Sequence, residues 1–137
     1  MKPSEVVTAD DLSGEADSSL SAPACLLTLK TRPDFLRAAR ARRAQVPGFL
    51  LQARRRGEDE PRHVVRVGFT CSRKLGNAVV RNRAKRRLRE IAHIVLPTHG
   101  RPGWDYVLVG RPGETAARPF DMLLSDLRTA LGRIHGQ

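Results

Sequence analysis

Aromatic residues are scarce in this chain of 137 residues: four Phe, one Tyr and one Trp, 4% in all. A core must therefore be built from aliphatic side chains, and a chain of this length suits one domain around one modest core. Cysteine is scarcer still. Cys25 and Cys71 stand alone, which excludes a disulfide framework or a Cys-x-x-Cys site and points to a reduced, cytoplasmic setting. His63, His93, His99 and His135 have no metal-ligand spacing with either thiol, so they read as ordinary histidines. No apolar run approaches membrane-spanning length, and the N-terminus lacks the basic-then-apolar order of a secretory signal. Internal repeats and a Walker-type phosphate loop are absent too.

Acids are missing where they matter most. From Arg73 to Arg89 there are eight Arg or Lys and no Asp or Glu. The net charge is +11, but residues 1–20 set Lys2 against Glu5, Asp10, Asp11, Glu15 and Asp17, a balance of −4, so residues 21–137 carry +15. A basic body of this size favours a nucleic acid over an acidic protein or a membrane. The acidic, Ser- and Ala-rich residues 1–24 show no periodicity and read as a disordered tail, which leaves 25–137 as a single domain suited to a nucleic acid.

The organising stretch is Arg66–Glu90. Val65, Val67, Phe69 and Cys71 alternate with Arg66, Gly68, Thr70 and Ser72, predicting a strand with one buried and one open face. After Gly76, Asn77 is placed to cap a helix on which Val80, Ala84, Leu88, Ile91 and Val95 form one apolar stripe. Arginines fill the remaining circumference. Like charges so close repel each other, and Arg forks onto phosphate oxygens in a way that Lys cannot, so a polyanion is the expected partner.

Other elements follow in order. Thr31 is spaced as an N-cap, with Pro33 and Asp34 behind it, for a short helix running to about Arg43. Gly48–Gln52 starts a strand, and Arg54–Gly57 followed by Glu58–Pro61 reads as a charged hairpin loop leading to the Val64 strand. Glu58, Asp59 and Glu60 point in different directions and have no partner His, so a solvated turn is expected there rather than a metal site. Pro97 is expected to stop the basic helix. Asp105–Gly110 is a nearly continuous apolar strand suited to a central position, and Pro119 opens a last helix with Phe120, Leu124, Leu127, Leu131 and Ile134 as its stripe. The reading is α+β: a two-layer sandwich of a mixed sheet packed with helices, in the order α-β-β-α-β-α. A nuclease acting alone would need a paired acid and base or clustered carboxylates. Asp105, Glu114, Asp121 and Asp126 have no obvious partners in the sequence, so no catalytic residue is assigned.

The run SRKLGNAVVRNRAKRRLRE, with Arg81-Asn82-Arg83 at its centre, resembles the signature of the bacterial ribonuclease P protein subunit, and the likeness extends over about Leu27–Ile134. The resemblance implies a left-handed βαβ crossover, an exception to the usual rule. It also implies an accessory role in endonucleolytic removal of the 5′ leader of precursor tRNA, in which the RNA subunit catalyses and holds most of the Mg2+. The implied partners are ribonuclease P RNA and precursor tRNA, with no organic cofactor, no membrane and no obligate protein partner. Arg73, Lys74, Arg81, Asn82, Arg83, Lys85, Arg86, Arg87 and Arg89 would meet the RNA subunit. Phe35, Leu50, Gln52, Thr70 and Arg81 would line a cleft for the single-stranded leader, with Ala39 and Gln52 standing where relatives often carry rings. On composition alone a general or ribosomal RNA-binding protein fits equally well. A helix-turn-helix DNA binder does not, because a strand precedes the basic helix.

Overall fold

The computed structural model describes residues 25–58, 60 and 63–136; the expected acidic tail lies outside them. The chain forms strand β1 (Cys25–Thr28), helix α1 (Arg32–Ala39), strands β2 (Arg42–Val46), β3 (Phe49–Arg55) and β4 (Val64–Thr70), a 3-10 turn (Arg73–Leu75), helix α2 (Ala78–His99), strand β5 (Trp104–Gly110) and helix α3 (Phe120–His135). One five-stranded sheet has the order β1-β4-β5-β3-β2. β4 is parallel to β1 and β5, while β3 is antiparallel to β5 and β2. The expected mixed α+β architecture is present, with β5 at the centre of the sheet as its apolar run requires.

Alternation sorts the side chains. Phe49, Leu51, Val65, Val67, Tyr106 and Leu108 face α2 and α3, where Leu88, Ile91, Val95, Leu123, Leu127 and Leu131 meet them in the main core. The opposite face is covered only in part, by α1, whose Ala38 and Phe35 pack with Leu29, Val107 and Val109. Most of the apolar burial that stabilises the sheet is therefore on one side, and the other side is left available.

Several expected boundaries move. Thr31 caps α1 as its spacing implies: its Oγ1 accepts the Asp34 amide at 3.4 Å and donates to Asp34 Oδ2 at 2.8 Å. The helix nevertheless ends at Ala39, not near Arg43. Arg42–Val46 is a strand that buries Ala44 and Val46 and forms a tight hairpin with β3 across Pro47-Gly48. β1 is a further strand that sequence reading missed. The Arg54–Pro61 segment is not a hairpin loop, because β5 lies between β3 and β4 in the sheet. α2 continues through Pro97 to His99 and closes where the Gly100 amide donates to the Leu96 carbonyl; Pro97, two residues before the end, has no amide to donate to the His93 carbonyl.

Asp105 and Asp126, expected to stand alone, are both paired. Asp105 is fully buried and takes Arg66 through two bonds of 2.8 Å, Arg56 at 2.5 Å and Arg54 at 3.5 Å. Glu60 extends this cluster with a bond of 2.8 Å from Arg54, and that bond holds its carboxyl at about 2, well below the usual range. Asp126 accepts Arg118 at 2.7 Å and the Gly48 amide at 3.1 Å, which fixes the β2–β3 turn to α3. Glu60 thus belongs to an ion-pair cluster rather than a solvated turn.

Candidate nucleic-acid interface

The end of β4 sets up the basic helix through three local devices. Ser72 Oγ accepts the Lys74 amide at 3.3 Å and caps the 3-10 turn. Gly76 then turns the chain at φ 139°, where a side chain would be strained. Asn77 Oδ1 accepts the Val80 amide at 3.0 Å and starts α2. The first turn of α2 contains no acid, so the partial positive charge of the helix N-terminus adds to the arginines around it.

Not all of these cations have the same use. Arg73, Lys74, Asn82, Arg83, Arg86 and Arg89 are exposed, while Arg81, Lys85 and Arg87 are partly buried. Arg87 is turned inward onto the loop before α3: it donates to the Thr115 carbonyl at 3.2 Å, the Ala116 carbonyl at 2.6 Å and the Arg118 carbonyl. Burial, together with Arg83 beside it, pushes its pKa below the usual guanidinium value. Arg83 gives only its Nε to this loop, at 3.1 Å to Ala116. The Arg89 guanidinium lies 5.6 Å from the centre of the Phe69 ring, and Arg81 Nε is buried without a partner. Among the described residues, no carboxylate lies within salt-bridge distance of any α2 cation. The helix therefore offers Arg83, Arg86 and Arg89 outward, and the fold uses Arg87.

The open sheet face is fixed by strand register. Opposite one another across β4, β5, β3 and β2 stand Gly68, Val107, Gln52 and Arg43. The next row toward the α2 end is Thr70, Val109, Leu50 and Gln45. The structure thus brings Leu50, Gln52 and Thr70 onto one face, as their parity implied. Phe35, expected at the edge of the cleft as its aromatic candidate, is half-buried against the sheet. A Cβ built on Gly68 would lie 2.5 Å from Phe35 Cε1 and Cζ, so the ring fills the space that Gly68 leaves and acts first as a strut between α1 and the sheet. Sequence reading missed Arg43, because its strand was not recognised.

Comparison with known proteins places these surfaces in context. The family model described as Ribonuclease P matches residues 26–135. A "Ribonuclease P protein component" from Ruegeria pomeroyi is 60% identical over 117 residues, covering 85% of this chain and 93% of its own. One from Caulobacter vibrioides is 52% identical over 103 residues, covering 75% and 67%. Among solved structures, the RNase P protein from Thermotoga maritima superposes with a TM-score of 0.64 at 29% identity, covering 80% of this chain and 98% of that one. The Staphylococcus aureus RNase P protein, at 23% identity and a TM-score of 0.63 over 79% and 94%, shares the fold.

Proposed function

Because the chain belongs to the bacterial ribonuclease P protein family, and is thus the protein subunit of that ribonucleoprotein endoribonuclease, we propose that its two surfaces divide the work between two RNAs. The turn at Arg73 and Lys74 and the outward side of α2, with Arg81, Asn82, Arg83, Lys85, Arg86 and Arg89, bind the RNA subunit. The groove floored by Leu50, Gln52 and Thr70, with Phe35 and Arg81 at its margins, takes the 5′ leader of precursor tRNA. The observation that carries this reading is a helix of arginines whose exposed members have no carboxylate partner among the described residues. Forked donors held on a rigid helix lose little freedom on meeting phosphates, and the open sheet face suits a splayed single strand.

Among the described residues no three metal-ligating side chains lie together, and both buried aspartates are turned onto arginines. In this reading the magnesium ions of the reaction are held by the RNA subunit. A cytoplasmic site of action accords with a fold in which no described helix is long and apolar enough to cross a membrane.

The test is a holoenzyme reconstituted with the cognate RNA and given precursors with long and one-nucleotide leaders. Arg86→Ala combined with Arg89→Ala should weaken assembly with the RNA subunit and lower cleavage of both precursors alike. Thr70→Val should lower affinity for the long leader only. If the helix variant assembles normally while the groove variant weakens both precursors equally, the division of surfaces is wrong.

A further inference from the structure

The groove offers no fully exposed aromatic ring to stack on, and the structure accounts for every aromatic residue in the chain. Phe49 and Tyr106 are fully buried on the α2 and α3 side. Phe69 lies on that same side beneath Arg89, Trp104 meets His135 edge-on at 4.5 Å, and Phe120 packs against the main core. Phe35 remains; it is half-buried, with its Cε1 and Cζ edge set over Gly68. A single strand in this groove therefore meets little of the stacking surface on which single-stranded sites usually depend.

What the groove does present is a cation and an amide side by side. Arg43 stands directly across from Gln52 in the β2–β3 pairing. Alternation along β2 sends Arg42 to the far side, where it donates to the Ile134 carbonyl at 2.7 Å and covers Trp104. Arg133 is likewise spent on the Gln45 carbonyl, at 2.7 Å. Arg43 is exposed and has no internal acceptor among the described residues, and the Gln52 amide is half-buried with none either. Arg40, exposed at the end of α1, adds charge at the same edge. Keeping an edge strand from pairing with other chains would explain a charge on β2, but not its position opposite an unpartnered amide in the groove.

We propose that the groove holds the leader through phosphate contact at Arg43, aided by hydrogen bonding at Gln52, in place of base stacking, so that leaders of different base composition bind nearly equally. This inference rests on the assignment of the groove to the leader made above. Its test uses the reconstituted holoenzyme and precursors carrying a one-nucleotide leader, an oligo-A leader or an oligo-U leader. The unaltered holoenzyme should bind the two longer leaders within about twofold of each other. Arg43→Ala should weaken both longer leaders and spare the one-nucleotide leader. With one single-strand contact removed, raising salt from 50 to 200 mM should cost the variant about two- to threefold less affinity than the wild type. Arg43→Lys should restore most of the binding. Gln52→Tyr, which adds a ring to the groove, should create a preference for oligo-A of about fivefold or more. A wild-type holoenzyme that already separates the two leaders by that much, or an Arg43→Ala holoenzyme that matches wild type on both, would overturn the inference while leaving the groove a leader site. Equal affinity of the wild type for long and one-nucleotide leaders would overturn the groove assignment, and this inference with it.

Discussion

Successive residues on a helix are rotated by about 100°, and between Arg86 and Arg87 that rotation separates an exposed guanidinium from one partly buried against a loop. Arg87 satisfies the carbonyls of Thr115, Ala116 and Arg118, and so ties α2 to the segment that leads into α3. Hydrogen bonds from a charged donor are worth about 1.5–3 kcal/mol each in favourable cases. Arg87→Ala, which leaves three acceptors without it, should therefore destabilise the fold by about 1.5–3 kcal/mol or more and lower the melting temperature by roughly 5–15 °C. Arg87→Lys should recover little of this, since an ammonium cannot reach three carbonyls as a planar fork does. Arg86→Ala should leave melting unchanged. Thermal denaturation of the three variants separates the cases, and equal melting of Arg86→Ala and Arg87→Ala would mean that the loop contacts contribute nothing.

At the level of elements, α2 begins on a single side-chain cap in a place where charge works against it. Asn77→Ala removes the Val80 acceptor and should cost about 1 kcal/mol. Asn77→Asp keeps the acceptor and adds a negative charge at the helix N-terminus, so it should be at least as stable as wild type. Chemical denaturation, with hydrogen exchange at the amides of 78–81, reports both changes; a destabilised Asp variant would show that the cap acts through something other than its acceptor. This helix was legible in the sequence because its evidence is local: a cap, a turn glycine and a stripe within 25 residues. β2 was not, because only Ala44 and Val46 of its five residues are apolar and Arg42 and Arg43 give it the look of a frayed helix end. Nor was the pairing of Asp105, whose partners Arg54, Arg56 and Arg66 lie 39 to 51 residues away. The groove was half legible. Parity placed Leu50, Gln52 and Thr70 together, but the use of Phe35 as a strut and the arrival of Arg43 depend on which strand lies beside which.

Across the whole molecule, stability should depend on pH in two windows. His135 sits against Trp104 and Tyr106, with its Nε2 2.7 Å from the Tyr106 hydroxyl. Burial, with Arg101 and Arg42 nearby, lowers its pKa from 6.5 to about 4. The unfolded chain therefore takes up a proton at His135 before the folded chain does, and stability should fall as pH drops from about 6.5 to about 4. The contribution of Glu60, whose value falls from 4.5 to about 2 through its bond with Arg54, should be lost as pH falls from about 4.5 to about 2. His135→Phe should flatten the upper window and leave the lower one in place. Urea midpoints measured from pH 7 to pH 3 would show this; a variant with the same slope above pH 4.5 as wild type would exclude His135 as the source.

The strand order has a consequence for a chain made from its N-terminus. β3 finishes at Arg55, but its inner neighbour β5 finishes only at Gly110, and β4, made in between, cannot substitute because β5 separates the two. At about 5–20 residues per second, the β2–β3 hairpin waits roughly 3–11 s on the ribosome with Phe49, Leu51 and Ala53 uncovered and one edge unpaired. The arginine helix emerges during that interval, close to ribosomal RNA. A newborn chain therefore presents its arginine helix before the sheet that will hold it in place has closed.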